Sequence, residues 1–328
     1  MIKVKDLRID IKTDDGILNA VRGVDFNLEN GRTLGLVGES GCGKSLTSKS
    51  ILGINPKNCV SSGEILFCKE NREFDLLKLK HGGKEIRAIR GSEISMIFQE
   101  PMTAFSPMYT IGNQIMENAL LHITKSKSEA KEISLYMMNL VGIANCEERF
   151  NQYPHEFSGG MLQRALIAMS LVCKPSVLIA DEPTTALDVT IQAQILELMK
   201  DIQKELGMSI LYITHDLGTV ASMCDDVAVM YLGQIVEYAS VVDIFYDPKH
   251  PYTKGLLNSI PKMGNKDKPL TSIKGVVPVP QNLPPGCGFF NRCEMAVDGV
   301  CNVGKIDNTD FGNSHFVKCV LCNGGDLK

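Results

Sequence analysis

Five short stretches carry residue types and spacings suited to handling a polyphosphate. "GESGCGKS" (Gly38 to Ser45) fits the pattern G-x-x-x-x-G-K-[ST]. Glycines there let backbone N–H groups close around phosphate oxygens, Lys44 reaches β- and γ-phosphates, and the Ser45 hydroxyl is placed to ligate Mg²⁺. "VLIADEP" (Val177 to Pro183) ends an apolar run in two carboxylates. Asp181 can hold Mg²⁺ through water, which leaves Glu182 to polarise an attacking water. "YITHD" delivers His215 at the end of another apolar run, where it can contact a γ-phosphate. Gln99, closing "ISMIFQ", can reach the Mg²⁺ or the water. "FSGGMLQRA" (Phe157 to Ala165) reads as a serine-capped helix start with two glycines, a second place where an anion can sit. A paired carboxylate, a lone histidine or a glycine-rich turn is ordinarily structural; the combination carries the chemistry.

These residues need strands and helices to hold them. Short apolar runs at Thr33 to Gly38, Ile94 to Phe98, Ser176 to Asp181 and Ser209 to Thr214 predict buried strands. The helical stripe over Ile191 to Leu206 alternates with them, as in an α/β core. Between Pro101 and Gln163 strand signals fade and helical ones dominate, which predicts a helical subdomain inserted into that core. "VAVMYLGQIVEYA" predicts a hairpin turning at Leu232-Gly233. Past Pro261 periodicity is lost while Pro, Gly, Asn and Cys rise, so 1–260 and 261–328 are expected to be separate domains.

The bulk properties narrow the class. A net charge of −4 and pI of 5.9 argue against nucleic acid as the main partner. The start shows no secretory h-region, and no apolar run reaches the ~20 residues that span a bilayer. A cytosolic chain is expected, with any membrane role exercised through partners.

In their order along the chain these motifs resemble the nucleotide-binding subunit of ABC transporters. That resemblance implies a P-loop NTPase (RecA-like) α/β fold with an antiparallel β subdomain, an α-helical subdomain at about 100–165 and ATP hydrolysis with Mg²⁺. It identifies Gly38, Glu39, Ser40, Gly41, Cys42, Gly43, Lys44 and Ser45, followed by Leu46, as the Walker A loop on ATP. Gln99 is then the Q-loop glutamine, and Ser158, Gly159, Gly160 and Gln163 belong to the signature. Asp181 ends the Walker B strand, Glu182 is the general base, Ala186-Leu187-Asp188 form the D-loop and His215 is the switch histidine. Ser45, Gln99 and Asp181 are the implied Mg²⁺ set. In the family the signature closes over ATP held by a partner subunit, which accounts for two phosphate cradles in one chain. Cys42 is expected to make the loop sensitive to thiol reagents. Ile11 stands where the family usually stacks an aromatic on adenine, and Phe26 is either another contact or a strand residue.

Within the family, "HPYTKGLLNSIP" and "IKGVVPVPQNLPPGCGFFNRC" resemble the C-terminal extension of oligopeptide/dipeptide importers. This implies peptide import with a second, homologous rather than identical, ATPase subunit. It also implies two membrane permeases and an extracellular substrate-binding protein, placing the chain on the cytoplasmic face of the membrane. Residues Met102 to Met108 would grip a permease helix. A nickel or metallophore importer and a soluble, non-transport ABC ATPase are the alternatives. A non-catalytic subunit fits poorly with intact Lys44, Glu182, Gln163 and His215.

Five cysteines crowd the end of the chain: Cys287, Cys293, Cys301, Cys319 and Cys322. Four thiolates there can hold a 4Fe–4S cluster or Zn²⁺, or remain free structural thiols. The resemblance favours iron. Cys322 reads as a spare and His315 as a substitute ligand for zinc.

Overall fold

The computed structural model describes residues 1–70, 72–185, 187–260, 273–281, 283 and 285–322. Its strands, in chain order, are β1 (Ile2–Thr13), β2 (Gly16–Leu28), β3 (Thr33–Val37), β4 (Cys59–Lys69), β5 (Arg72–Asp75) and β6 (Ile94–Ile97). They continue with β7 (Val177–Asp181), β8 (Ser209–Thr214), β9 (Asp226–Tyr231), β10 (Gln234–Ser240), β11 (Thr309–Asp310) and β12 (Phe316–Val317). Two compact units arise, each from separated segments. One takes Met1, Leu28–Arg32 and Lys78–Ile213; the other takes Ile2–Asn27, Thr33–Leu77 and Thr214–Lys328.

In the first unit β6, β7 and β8 pair in parallel, with Ile97 opposite Ala180 and Ala180 opposite Tyr212. Every residue of β6 and β7 is buried, which is why both read as unbroken apolar runs. The segment after β6 is helical, as its periodicity predicts, with the longest helices at Ile111–His122, Lys127–Leu140 and Gly159–Leu171. Thr110 and Ser126 start the first two by accepting the N–H groups of Asn113 and Glu129. Ile111, Ile115 and Ala119 of one, and Ala130, Ser134, Met137 and Met138 of the next, are buried at i, i+4 spacing. Gly112 lies against the face of Phe150: a Cβ added there would come within 2.2 Å of the ring.

The second unit holds two sheets. One has the order β2-β1-β4-β5, antiparallel at β1/β4 and β4/β5. In the other, β3 lies parallel to β9, and β9 and β10 form the predicted hairpin. Its turn uses Leu232 at φ 41° and Gly233 at φ 74°, the two left-handed residues that match strand twist in a tight hairpin. The C-terminal extension is not all loop: β12 adds to β10, and β11 to β12. Glu237 on β10 is wholly buried and accepts the N–H groups of Lys249 and His250 at 2.7 and 3.0 Å. It also pairs with Nε2 of His315 at 2.8 Å. A buried carboxylate is tolerable only with partners such as these. His315 is thereby engaged in holding the extension, contrary to its expected use as a zinc ligand.

The substitution Gly112→Ala should cost about 1–3 kcal/mol, because the added methyl must displace an aromatic ring in a close-packed helical layer. Urea unfolding measures it; an unchanged midpoint would show that Phe150 does not occupy this position.

Candidate functional site

β3 is buried throughout and ends at Gly38, whose φ of 154° and crowding admit no side chain: a Cβ there would lie 2.1 Å from the Met230 carbonyl oxygen. Gly43 is constrained in the same way, at φ 105° with its Cβ position 2.8 Å from the Ala20 carbonyl. Between them the chain loops out, leaving Ser40 and Gly41 exposed, and re-enters as the helix Lys44–Leu52. Backbone N–H groups therefore gather at a helix start without side chains in the way. Lys44 folds back over the loop. Its ammonium donates to the carbonyls of Gly38 at 2.7 Å and Glu39 at 3.1 Å, and lies 3.8 Å from Cys42 Sγ. Cys42 is buried, and that burial raises its thiol pKa. The expected sensitivity to thiol reagents does not follow here, since the reactive thiolate is disfavoured and inaccessible.

In the first unit, the parallel register brings a second constellation together. Gln99 and Glu182 each stand two residues beyond the pair Ile97 and Ala180, so they emerge at the same sheet edge. Gln99 Nε2 donates to Glu182 Oε2 at 3.0 Å, and Thr185 Oγ1 donates to the same oxygen at 3.1 Å. Glu182 is left-handed at φ 48°, a conformation costly for a side chain bearing a Cβ. Its N–H donates to the Ile213 carbonyl at 2.9 Å, which fixes the turn. Asp181, last in β7, is buried. The sequence reading missed Thr185; its signal was a hydroxyl three residues after the carboxylate, the reach of one turn.

Ser158 caps the helix Gly159–Leu171, its hydroxyl accepting the Met161 N–H at 3.4 Å. Ser158 and Gly159 are exposed, and a Cβ added at Gly159 would meet nothing within 4 Å. At Gly160 the added Cβ would be 3.1 Å from Ile191, so packing within the chain accounts for that glycine. Gln163 is buried, and among the described residues its Nε2 has no hydrogen-bond partner. Asp188 caps the helix Val189–Leu206 by accepting the N–H groups of Thr190 and Ile191, each at 3.0 Å. Ala186 of the expected D-loop lies outside the described residues. In the second unit His215 follows β8 directly and is exposed. Ile11 pairs with Cys59 across β1 and β4, while Phe26 is a buried strand residue.

Cys287, Cys293, Cys301 and Cys319 line one cavity of about 10 Å³ together with His250 and Phe289. Spacing could only suggest this convergence. Burial pushes the Cys287 thiol up to about 11 and His250 down to about 3. His250 Nδ1 accepts the Tyr252 N–H, while its buried Nε2 has no partner among the described residues. Cys322 lies next to Cys319: its backbone N–H donates to the Cys319 carbonyl at 3.2 Å, and the neighbouring thiol lowers the Cys319 pKa. As arranged, the described residues contain no group of three or more His, Cys, Asp or Glu that could hold a metal ion. The four thiols thus surround a void with room for about one water, and the expected ligand shell is not formed.

A family model described as ABC transporter matches residues 21–185, and one described as oligopeptide/dipeptide transporter, C-terminal region, matches 236–301. The dipeptide transport ATP-binding protein DppD of Bacillus subtilis is 50% identical over 323 residues, 98% of this chain and 94% of that protein. The oligopeptide transport ATP-binding protein OppD of the same organism is 52% identical, covering 98% of this chain and 88% of its own. Among solved structures, cbiO1 from Clostridium perfringens, part of an ABC transporter complex, aligns with a TM-score of 0.61 at 30% identity over 75% of this chain and 90% of that one. A bacterial ABC transporter cassette solved as a dimer aligns with a TM-score of 0.64 at 25% identity, covering 74% and 99%. These matches, over nearly the whole chain, show the family: the chain belongs to the ATP-binding subunits of ABC transporters, in the group that carries the oligopeptide/dipeptide transporter C-terminal region.

Proposed function

We propose that this chain hydrolyses ATP to power import of oligopeptides or dipeptides through an ABC transporter. Two near-full-length relatives at half identity or more bear peptide-transport names, which supports the cargo class over nickel or a metallophore. The observation that carries the catalytic reading is the Glu182 carboxylate, fixed on one oxygen by Gln99 and Thr185 at the end of a buried strand.

The phosphate loop and the carboxylate edge are assigned to one nucleotide. Gly38 to Ser45 cradle the phosphates through backbone N–H groups, with Leu46 following in the helix. Lys44 exchanges its loop carbonyls for β- and γ-oxygens. Ser45, Gln99 and Asp181 would hold Mg²⁺, which supplies neutralisation of phosphate charge. Glu182 accepts a proton from water as the water oxygen bonds to the γ-phosphorus and the bond to ADP breaks; His215 contacts the γ-phosphate and Asp188 lies beside the site. Gln99, bonded to Glu182, orients the base and senses the helical region that follows.

Ser158, Gly159, Gly160 and Gln163 are assigned to the nucleotide of a partner ATPase subunit, a homologous one. Support comes from Gly159, whose missing side chain no atom of this chain requires. Exposed Met102, Met108 and Tyr109 suit an apolar grip on a permease helix, the kind of surface that marks a protein contact. Two permeases and an extracellular binding protein complete the assembly. Among the described residues no helix is long and apolar enough to cross a membrane; the permeases are assigned the task of holding the chain at the cytoplasmic face. Residues 1–260 are taken as the ATPase domain and 261–328 as the extension, in which Cys287, Cys293, Cys301 and Cys319 hold a 4Fe–4S cluster, with Zn²⁺ as the alternative.

Lys44→Ala should weaken ATP binding by roughly 10²-fold, read by titration of the purified chain. Glu182→Gln should lower turnover of the assembled transporter by about 10²–10⁴-fold while ATP stays bound and the ATPase pair accumulates. Undiminished turnover would remove Glu182 as the base. Protein purified without oxygen should show the broad brown absorption of an iron–sulfur cluster, and Cys293→Ala should abolish it. Zinc found by elemental analysis selects the alternative; neither metal in the intact protein, with unaltered thermal stability under chelator, rejects the metal reading.

A further inference from the structure

The loop that takes the phosphates is not left to hold itself. Arg292 lies on a short turn, Phe290–Arg292, between Cys287 and Cys293 of the extension. Its guanidinium donates from Nη1 to Glu39 Oε2 at 2.7 Å and from Nη2 to Glu39 Oε1 at 3.0 Å. Nε donates to the Lys274 carbonyl at 2.9 Å, so the fork is held from behind. The planar group also lies over the rings of Tyr231 and Phe289, at 5.8 and 6.0 Å from their centroids. Only 5% of the Arg292 side chain is exposed, against 29% for Glu39. This is the bidentate, stacked and largely dry geometry in which an arginine–carboxylate pair is strong and lysine is no substitute. The contact with Glu39 raises the guanidinium pKa, so the positive charge persists at any working pH.

Glu39 is the first x residue of the phosphate loop, and its backbone is held too. Its N–H donates to Tyr252 Oη at 3.0 Å, and its carbonyl is one of the two on which the Lys44 ammonium rests. Tyr252, Tyr231 and Phe289 pack on one another, with ring centroids 4.7 to 5.3 Å apart. The extension therefore reaches the phosphate loop through one charged pair seated on an aromatic cluster.

We infer that Arg292 is a positioning residue for the phosphate loop: the extension holds Glu39, and with it the carbonyl beside Lys44, in the conformation that receives nucleotide phosphate. Anchoring that strap is then a task of the extension, distinct from what fills its cysteine cavity. The inference rests on reading Gly38 to Ser45 as the nucleotide loop.

The test is titration of the purified full-length chain with a fluorescent ATP analogue and Mg²⁺. Arg292→Ala and Glu39→Gln should each weaken binding about tenfold, the size expected for losing a charge-assisted hydrogen-bonded pair. The double variant should be no weaker than either single one, because both remove the same interaction. Arg292→Lys, which keeps the charge but not the fork, should fall between wild type and Arg292→Ala. Glu39→Gln is near-isosteric and changes only a partly exposed side chain, so it reports even if Arg292→Ala fails to fold. Wild-type affinity in Glu39→Gln, multiplicative losses in the double variant, or tighter binding in Arg292→Ala each overturn the inference. Lys44→Ala separates the two readings: if it too binds normally, the nucleotide loop itself has been misassigned.

Discussion

A buried strand can present a charged group only where it ends, and the chemistry of this chain is built on that constraint. Along β3 and β7 every side chain is enclosed, so polar groups appear abruptly at Gly38 and at Asp181-Glu182. At both ends the backbone must turn within one residue, and both turns are left-handed, at φ 154° for Gly38 and 48° for Glu182. Glycine meets the demand at the first because the Met230 carbonyl leaves no room for a Cβ. At the second a carboxylate is needed, so a non-glycine residue bears the strain. The Ile213 carbonyl and the hydrogen bonds from Gln99 and Thr185 hold it there. A carboxylate fixed in this way has little orientational freedom left to lose.

The extension follows a different logic. It has little apolar periodicity, and among its described residues only β11 and β12 are strands. It is ordered by attachment to better-built parts of its own unit: β12 on β10, His315 on the buried Glu237, Phe289 on Tyr231 and Tyr252. Around the cysteine cavity, burial raises the pKa of the Cys287 thiol, while contact with Cys322 lowers that of Cys319. Such a segment can be attached to the ATPase core only where the core offers buried polar or aromatic partners, and those partners lie next to the phosphate loop.

The two glycine-fronted helix starts differ in what their glycines answer to. Gly38 and Gly43 are required by neighbouring backbone in the same chain. Among the described residues nothing lies within 4 Å of a Cβ built at Gly159, so that helix start is open. A capped helix start with an open face is a general form of anion cradle.

The motifs were legible in the sequence because each rests on short-range spacing. Glycines at 38 and 43, a capping serine at 158, apolar runs ending at Asp181 and Thr214, and a Leu-Gly turn at 232 and 233 all act within a few residues. The buried strands β3, β6, β7 and β8, the helix Val189–Leu206 and the hairpin of β9 and β10 appear where local signals placed them, whereas β1, β2, β4 and β5 had no such signal read for them. The sequence by itself therefore determined the family and the positions of the motifs that point to it. Only the tertiary structure decided which distant residues serve them. Register across β6 and β7 brings Gln99 to Glu182, and the fold of the extension brings Arg292 to Glu39, 253 positions earlier. It also took His315 away from the cysteines and gave it to Glu237. Pairings of that kind leave no periodic trace, because a charged side chain reads alike in a sequence whether water or a buried partner will satisfy it.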